Sequence, residues 1–150
     1  MKRRLHIASA VLATLLIATF WTSTVLTELL AGHGTVATVK TLVLYGMALL
    51  VPAMATAGAT GASLGRGWRL PEVARKSKRM KWIAANGLIV LLPSAVFLAL
   101  RSADGRFDAV FYAVQGLELM AGATNLTLLA LNMRDGIALG RRRSAVSRSR

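Results

Sequence analysis

The chain has 150 residues, 55% of them hydrophobic, and it contains no cysteine and carries a formal net charge of +13. This hydrophobic fraction exceeds what a soluble domain of this size tolerates on its surface, which argues against a soluble globular fold. The absence of cysteine excludes disulfides, thiolate metal sites, iron–sulfur clusters and thiol catalysis. A strongly basic chain would suggest nucleic-acid binding if its cations were spread over the fold, but they are not.

Four apolar segments are each long enough to cross a hydrocarbon layer of about 30 Å, which takes roughly 20 helical residues. They cover residues 5–30, 36–57, 82–100 and 107–131, and the second reaches residue 64 if the small residues after 57 are included. Backbone groups in lipid need partners within their own segment, so each segment is predicted to be helical. Short links at 31–35 and 101–106 predict antiparallel neighbours. The sequence therefore predicts an all-α fold, an integral membrane four-helix bundle with up-down-up-down topology, over residues 1–140.

The Lys and Arg residues concentrate at one end of this predicted bundle. Of the 19 such residues, all but three lie before residue 5, in the connection 65–81 or after residue 133. An excess of Lys and Arg in short loops marks the cytoplasmic side of a membrane. Both termini are therefore predicted to be cytoplasmic, in a bacterial-type inner membrane. The connection 65–81 is predicted to be a cytoplasmic loop, and residues 141–150 a basic, disordered tail.

These cations also indicate partners. In a lipid bilayer they would attract anionic headgroups at the cytoplasmic face, at about 1 kcal/mol per residue near the surface. An alternative is that residues 75–81 form a docking site for a specific lipid or an acidic partner. The spacing of the Lys and Arg residues in this stretch does not require such a site. Nucleic acid is not an expected partner, because the aromatic residues of this region, Trp68 and Trp82, flank spans and suit interfacial anchoring. A homo-oligomer or a membrane partner stays open.

The fourth segment carries a stripe of acids and amides. Steps of three and four residues place its polar members on one helix face: Asp108, Gln115, Glu118, Asn125 and Asn132. Polar groups are costly in lipid, so this face is predicted to point into the bundle. Glu118 is predicted near mid-depth, with no Lys, Arg or His at the same depth in another span. We therefore expect its carboxyl to be uncharged at neutral pH unless water reaches it.

This stripe is compatible with two functions. In the first, Glu118 carries a proton or binds a cation, with Gln115, Asn125 and Asp108 as further candidates. In the second, a neutral Glu118 bonds to Gln115 or to hydroxyls on another helix, and the stripe merely holds the bundle together. Asn86 of the third segment is predicted to meet Asn125 or Asn132 across the bundle.

A second polar cluster is predicted near the outer end, away from most of the cations. Glu28 lies within one turn of the end of the first segment, Lys40 lies about one turn into the second, and His33 lies between them. Their comparable depth predicts an ion pair between Glu28 and Lys40. The cluster is either an entry site for protons or a small ion, or a pair that ties the first two helices with His33 in solvent.

Helix breakers and small residues predict local features of the second and third segments. Pro52 and Pro93 lie mid-span, and each removes one backbone hydrogen bond. Gly58 and Ala62, and likewise Gly61 and Gly65, are small residues four positions apart, a spacing that permits close helix contact.

No cofactor, metal or catalytic residue is predicted. A haem held by two histidines needs them at similar depth, whereas His6 and His33 fall at opposite ends, and ligation by His33 with a methionine stays open. The sequence lacks a Ser/His/Asp or His/Glu cluster, so an enzyme, for instance one acting on lipid or quinone, is less favoured. The sequence favours a small proton- or ion-linked carrier, with a non-catalytic scaffold or accessory subunit of a membrane complex as the alternative.

Overall fold

The computed structural model describes residues 1–66 and 71–148, without the side chains of Glu72 and of residues 139–148. Within this part of the chain the fold is all-helical, as the sequence predicts. Its elements are α1 (Lys2–Leu30), α2 (His33–Gly65), α3 (Pro71–Asn86), a π-helical segment (Gly87–Leu91), α4 (Leu92–Ala103) and α5 (Ala109–Arg148). The π-helical segment joins α3 and α4 into one rod, so the described chain forms four long rods.

Four helices of the described residues are long and apolar enough to cross a membrane. They are Lys2–Leu30, His33–Gly65, Val73–Ala103 and Ala109–Ala138. These match the four predicted segments in number and order. The third rod departs most from its prediction, because it begins at Pro71 and turns most of the predicted loop 65–81 into helix. Residues 71–81 are too polar to be recognised as apolar in the sequence, but they are rich in good helix formers, and Pro71 suits a first helical turn.

The other three helices also exceed their predicted bounds, and α1 does so by starting at Lys2 instead of residue 5. α2 starts at His33 instead of residue 36, and it runs to Gly65. α5 starts at Ala109, and its backbone continues to Arg148. Residues 149–150 and the side chains from 139 onward lie outside the described part, so the disorder predicted for residues 141–150 stays a prediction.

The rods form a closed ring in which α1 packs on α2, α2 on α4, α4 on α5, and α5 back on α1. Small residues permit these close approaches. A Cβ atom at Gly61 of α2 would lie 3.0 Å from the His6 ring of α1, whose Nδ1 donates to the carbonyl of Ala57 at 3.0 Å. The close helix contact predicted around Gly58, Gly61 and Gly65 is thus present at Gly61.

The two mid-span prolines behave differently. Pro52 lies inside α2 without ending it. Pro93 follows the π-helical segment, in which the N–H of Leu92 donates to the carbonyl of Gly87, five residues earlier. A π turn widens the helix and changes which carbonyls accept a hydrogen bond. The interruption of the hydrogen-bond pattern predicted at Pro93 is thus accommodated by this turn.

Gly122 of α5 provides a test of the packing between α1 and α5. A Cβ atom there would lie 2.9 Å from Cδ1 of Trp21, whose indole Nε1 donates to the carbonyl of Leu119 at 2.9 Å. The indole cannot retreat without losing that bond, so we expect Gly122→Ala to lower the free energy of unfolding by about 1–3 kcal/mol. Thermal and denaturant unfolding in detergent micelles, followed by circular dichroism, measures the effect.

Gly116→Ala is the matched control, because it is on the same helix and a Cβ atom there would meet nothing within 4 Å. Alanine is the better helix former by roughly 0.5–1 kcal/mol, so this variant is expected to be neutral or slightly stabilised. Equal stability changes in the two variants would contradict the described contact between Trp21 and Gly122.

A buried charge cluster as candidate functional site

The interior of the bundle contains polar as well as apolar side chains, and large apolar side chains cover much of its outside. The buried polar and charged residues belong to α1, α2, α4 and α5: Ser9, Thr24, Lys40, Ser94, Ser102, Gln115, Glu118, Asn125, Asn132 and Asp135. Apolar residues such as Ile17, Leu50 and Leu98 are buried beside them. The exposed residues include Tyr45 at 72%, Ile89 at 74% and Met120 at 74% of their full surface. A soluble helical bundle turns a polar face to water, so this apolar exterior is the feature that differs.

The most deeply buried charges form an ion pair between α2 and α5. Nζ of Lys40 lies 2.6 Å from Oε2 of Glu118, and Lys40 is only 1% exposed. The prediction that no cation lies at the depth of Glu118 is therefore wrong. Lys40 lies seven residues after the true start of α2, and Glu118 nine residues after the start of α5. Both residues are thus about 10–14 Å from the same end of the bundle.

The pairing predicted between Glu28 and Lys40 is also wrong, because Lys40 forms its salt bridge with Glu118 instead. Glu28 nevertheless belongs to the same environment. It lies one turn after Thr24, which is buried and lines a small cavity together with Glu118. Its Oε1 atom is buried and has no hydrogen-bond partner.

Gln115 completes what we call the charge cluster, which consists of Glu28, Lys40, Gln115 and Glu118. One turn before Glu118 on α5, Gln115 is 4% exposed, and its Nε2 atom donates to Oε2 of Glu118 at 3.3 Å. Its Oε1 atom is buried without a donor. Two acceptor oxygens, one on Glu28 and one on Gln115, thus remain unpaired in the interior.

A small cavity borders the charge cluster. Its volume is about 40 Å³, and Glu118, Trp21, Thr24 and Gly122 are among the residues that line it. Most of the other lining residues are apolar. One water molecule needs at least about 10–15 Å³ of such space, so the cavity has the volume for water but not for a large solute. Among the described residues that line it, only Glu118, Thr24 and Trp21 have polar side-chain atoms.

An aromatic cluster lies between the ion pair of Lys40 with Glu118 and the nearer end of the bundle. The exposed ring of His33, the first residue of α2, stacks on Phe107 with a centroid distance of 4.1 Å. Phe107 contacts Phe111 edge to face at 4.9 Å, and Phe111 is fully buried with Val36 and Leu98. We call this end, where residues 31–32 and 104–108 lie, the turn end.

Asp108 does not join the charge cluster. It precedes α5 and is 48% exposed, and it lies ten residues from Glu118, about 15 Å along the helix. The Arg101 guanidinium and the N–H of Phe111 donate to its carboxylate. The hydrogen bond from Arg101, followed by that from Phe111, lowers the pKa of Asp108 to about 2. The group is therefore ionised throughout the neutral range, which does not suit proton exchange near neutral pH.

An amide layer crosses the bundle further from the turn end. Asn86, the last residue of α3, donates through Nδ2 to Oδ1 of Asn125 and to the carbonyl of Ala121, both at 2.9 Å. Nδ2 of Asn125 donates to the carbonyl of Ile83 at 3.4 Å. The predicted contact between Asn86 and Asn125 is thus present, and it ties the third rod to α5. Asn132 is buried, and neither polar atom of its side chain has a partner.

The opposite end of the bundle holds a second interhelical ion pair, which sequence reasoning missed. NH1 of Arg79 on α3 lies 2.7 Å from Oδ2 of Asp135 on α5. Asp135 continues the polar stripe by one step of three beyond Asn132, so the same periodicity could have found it. It was missed because the predicted span stopped at residue 131.

No protein-family model, curated protein or solved structure matches this chain. The charge cluster combines one ammonium group with two carboxyl groups, and a poorly hydrated interior favours a net charge of zero. That condition is met when one of the two carboxyls holds a proton.

Proposed function

We propose that this chain is an integral membrane protein with up-down-up-down topology, in a bacterial-type inner membrane. Four span-length apolar helices and an exterior of large apolar side chains support the embedding. Phe20 of α1 lies against Gly46 of α2, and His6 lies against Gly61. Residue numbers rise along one helix as they fall along the other, which supports opposite directions for α1 and α2. The Lys and Arg excess near the N-terminus, in 65–81 and after 133 supports cytoplasmic termini.

Within that frame, the proposed activity is that of a small proton-linked carrier, and the charge cluster is its proton-exchanging site. The observation that carries this proposal is the excess of acid over base around one buried ammonium, beside a cavity with room for water. Ionisable groups inside a membrane bundle are expensive, and in membrane proteins they commonly mark proton or ion pathways.

The proposed exchange moves one proton and one side chain. In the described arrangement, ionised Glu118 holds the ammonium of Lys40. A proton that reaches Glu118 neutralises it and weakens its attraction for that ammonium. In the proposed cycle, Glu28 holds the proton of the neutral cluster while Lys40 binds Glu118. As Glu118 takes up a proton from the side of the cavity, Glu28 releases its own proton at the turn end, and its carboxylate takes Lys40. Transfer of the proton from Glu118 to Glu28 then returns Lys40 to Glu118 and restores the first arrangement, with one proton moved.

Proton flux into proteoliposomes tests this function. Vesicles with an enclosed pH-sensitive dye are given a potassium diffusion potential by valinomycin, and the wild type is expected to acidify faster than protein-free vesicles. Glu118→Gln keeps the size of the side chain but cannot release a proton, so its flux is expected to fall to the protein-free rate. Asp104→Asn, which changes an exposed acid next to α4, is the matched control and should retain wild-type flux.

Infrared difference spectroscopy of the same liposomes provides an independent readout. A carboxyl band that titrates in the wild type and is missing from Glu118→Gln is expected. If no carboxyl band moves between about pH 4 and 9, the carrier proposal fails.

In that case the second candidate, a non-transporting scaffold or accessory subunit, is the better one. The hydrogen bonds from Asn86 to Asn125 and from Trp21 to Leu119 favour it, because they hold helices together without any exchange. The buried stripe on α5 then serves the chain's own bundle, and a partner would have to bind the exposed apolar faces.

A further inference from the structure

We propose that Glu118, Gln115 and Glu28 form a site for one monovalent cation, that the ammonium of Lys40 is its built-in occupant, and that Lys40 thereby restricts the site to protons. The restriction to protons rests on the proposed carrier function. The cation site itself does not, because it follows from the donor and acceptor inventory of the described residues.

The site offers more hydrogen-bond acceptors than the single one that Lys40 contacts. A lysine ammonium has three N–H donors, and that of Lys40 lies 2.6 Å from Oε2 of Glu118. The buried Oε1 atoms of Glu28 and Gln115 have no donor. Unpaired acceptors in a poorly hydrated interior cost free energy, and a mobile cation would satisfy them more fully than a tethered ammonium does.

The ligand set indicates which cations fit. All of its free ligand atoms are carboxylate or amide oxygens, which suit hard cations and not transition metals. Lys40 contributes a single positive charge, so its replacement by a cation of the same charge leaves the electrostatics of the site unchanged. The adjoining cavity of about 40 Å³ leaves room for water beside such an ion.

Lys40 extends into this site from α2, whereas the acceptors belong to α1 and α5. Its ammonium therefore competes with any free cation for the site. A free cation would have to displace an ammonium that is held at high effective concentration by its own chain. Protons are not excluded in this way, because they bind to the carboxylate oxygen itself. Removal of the ammonium should therefore convert a proton-specific site into one that also binds sodium or methylammonium.

Trp21 gives a direct probe of that conversion, since its indole lines the same cavity as Glu118. We use the wild type, Lys40→Met and Lys40→Met/Glu118→Gln, each with Trp68 and Trp82 replaced by phenylalanine so that Trp21 is the sole tryptophan. Sodium chloride or methylammonium chloride replaces choline chloride at constant ionic strength. We expect a saturable change in Trp21 emission in Lys40→Met, and no saturable change in the wild type or the double variant.

A thermal measurement accompanies the fluorescence, because a ligand that binds only the folded state raises the melting temperature. The cations are expected to raise it in Lys40→Met but not in the wild type. If Lys40→Met is too unstable to purify, Lys40→Gln, which keeps an N–H donor for Glu118, takes its place. The proposal is overturned if neither variant responds to either cation, or if the response persists without the Glu118 carboxylate.

The outcomes of this experiment are separate from those of the flux assay. Cation binding by Lys40→Met together with no wild-type proton flux would retain the cation site and refute the carrier. Wild-type flux that depends on Glu118, together with no cation binding by any Lys40 variant, would retain the carrier and refute the cation site.

Discussion

Glu118→Leu is expected to lower the free energy of unfolding by about 3–5 kcal/mol, because it removes the carboxylate that forms the salt bridge with the buried ammonium of Lys40. Lys40 is 1% exposed and cannot reach solvent without unpacking α2 from its neighbours. Lys40→Met is also expected to lower the free energy of unfolding, because it leaves the carboxyl of Glu118 without its ammonium partner. The loss is expected to be smaller, since Glu118 can take up a proton and become neutral.

The double variant Glu118→Leu/Lys40→Met is expected to recover most of this loss. Replacement of both members of a buried ion pair by apolar residues of similar size is often neutral or stabilising. Chemical denaturation of all four proteins in one detergent gives the coupling free energy as a double-mutant cycle. Asp104→Leu, which removes an exposed acid, is the control for a nonspecific effect of charge removal.

Additive effects of the two single substitutions would contradict this expectation. Additivity would mean that Lys40 and Glu118 do not share a buried contact in the folded protein. A strongly coupled cycle with a stable, inactive double variant would instead separate the two roles of the pair. The charges would then be dispensable for folding and required for exchange.

The sequence predicted the secondary structure well because apolar segments of span length have few alternatives to helix. It also predicted that five polar residues share an inward face; Gln115, Glu118, Asn125 and Asn132 are buried, whereas Asp108 precedes the helix and is half exposed. Their spacing is a property of one helix, and the period of an α-helix is fixed by its backbone geometry. Contacts within one element are therefore accessible to sequence reasoning.

The partner of Lys40 was not accessible in the same way, because it depends on where two separate helices begin. With starts at residues 36 and 107, Lys40 and Glu118 would be four and eleven residues deep, too far apart to pair. The true starts, His33 and Ala109, make these depths seven and nine residues. An error of two or three residues in each helix start was enough to assign Lys40 to Glu28.

A prediction from the count of apolar residues also misses helices that are amphipathic or polar. The first turns of α3 are basic, so a count of apolar residues predicts a loop there, although the backbone is helical from Pro71. That extension carries Arg79 to Asp135 and thereby creates the second ion pair. A search for helix formers in the connection, in addition to apolar residues, would have predicted it.

Phe111→Ala is expected to destabilise the fold and to expose the charge cluster to water. Phe111 is fully buried between Val36 and Leu98, and the loss of such a side chain costs about 3–5 kcal/mol when the cavity cannot close. Val36 lies one turn before Lys40, and Phe111 lies two turns before Glu118. The aromatic cluster therefore separates the ion pair from the turn end.

Two measurements distinguish these effects. Thermal unfolding in detergent gives the stability loss, and Leu117→Ala, a comparable truncation at a residue that is 52% exposed on the same helix, is the control and should change it little. Infrared spectroscopy after transfer to D2O gives the exposure: exchange of the Gln115 amide and the Lys40 ammonium should be faster in Phe111→Ala. A variant that is destabilised but exchanges at the wild-type rate would show that Phe111 supports packing without sealing the site.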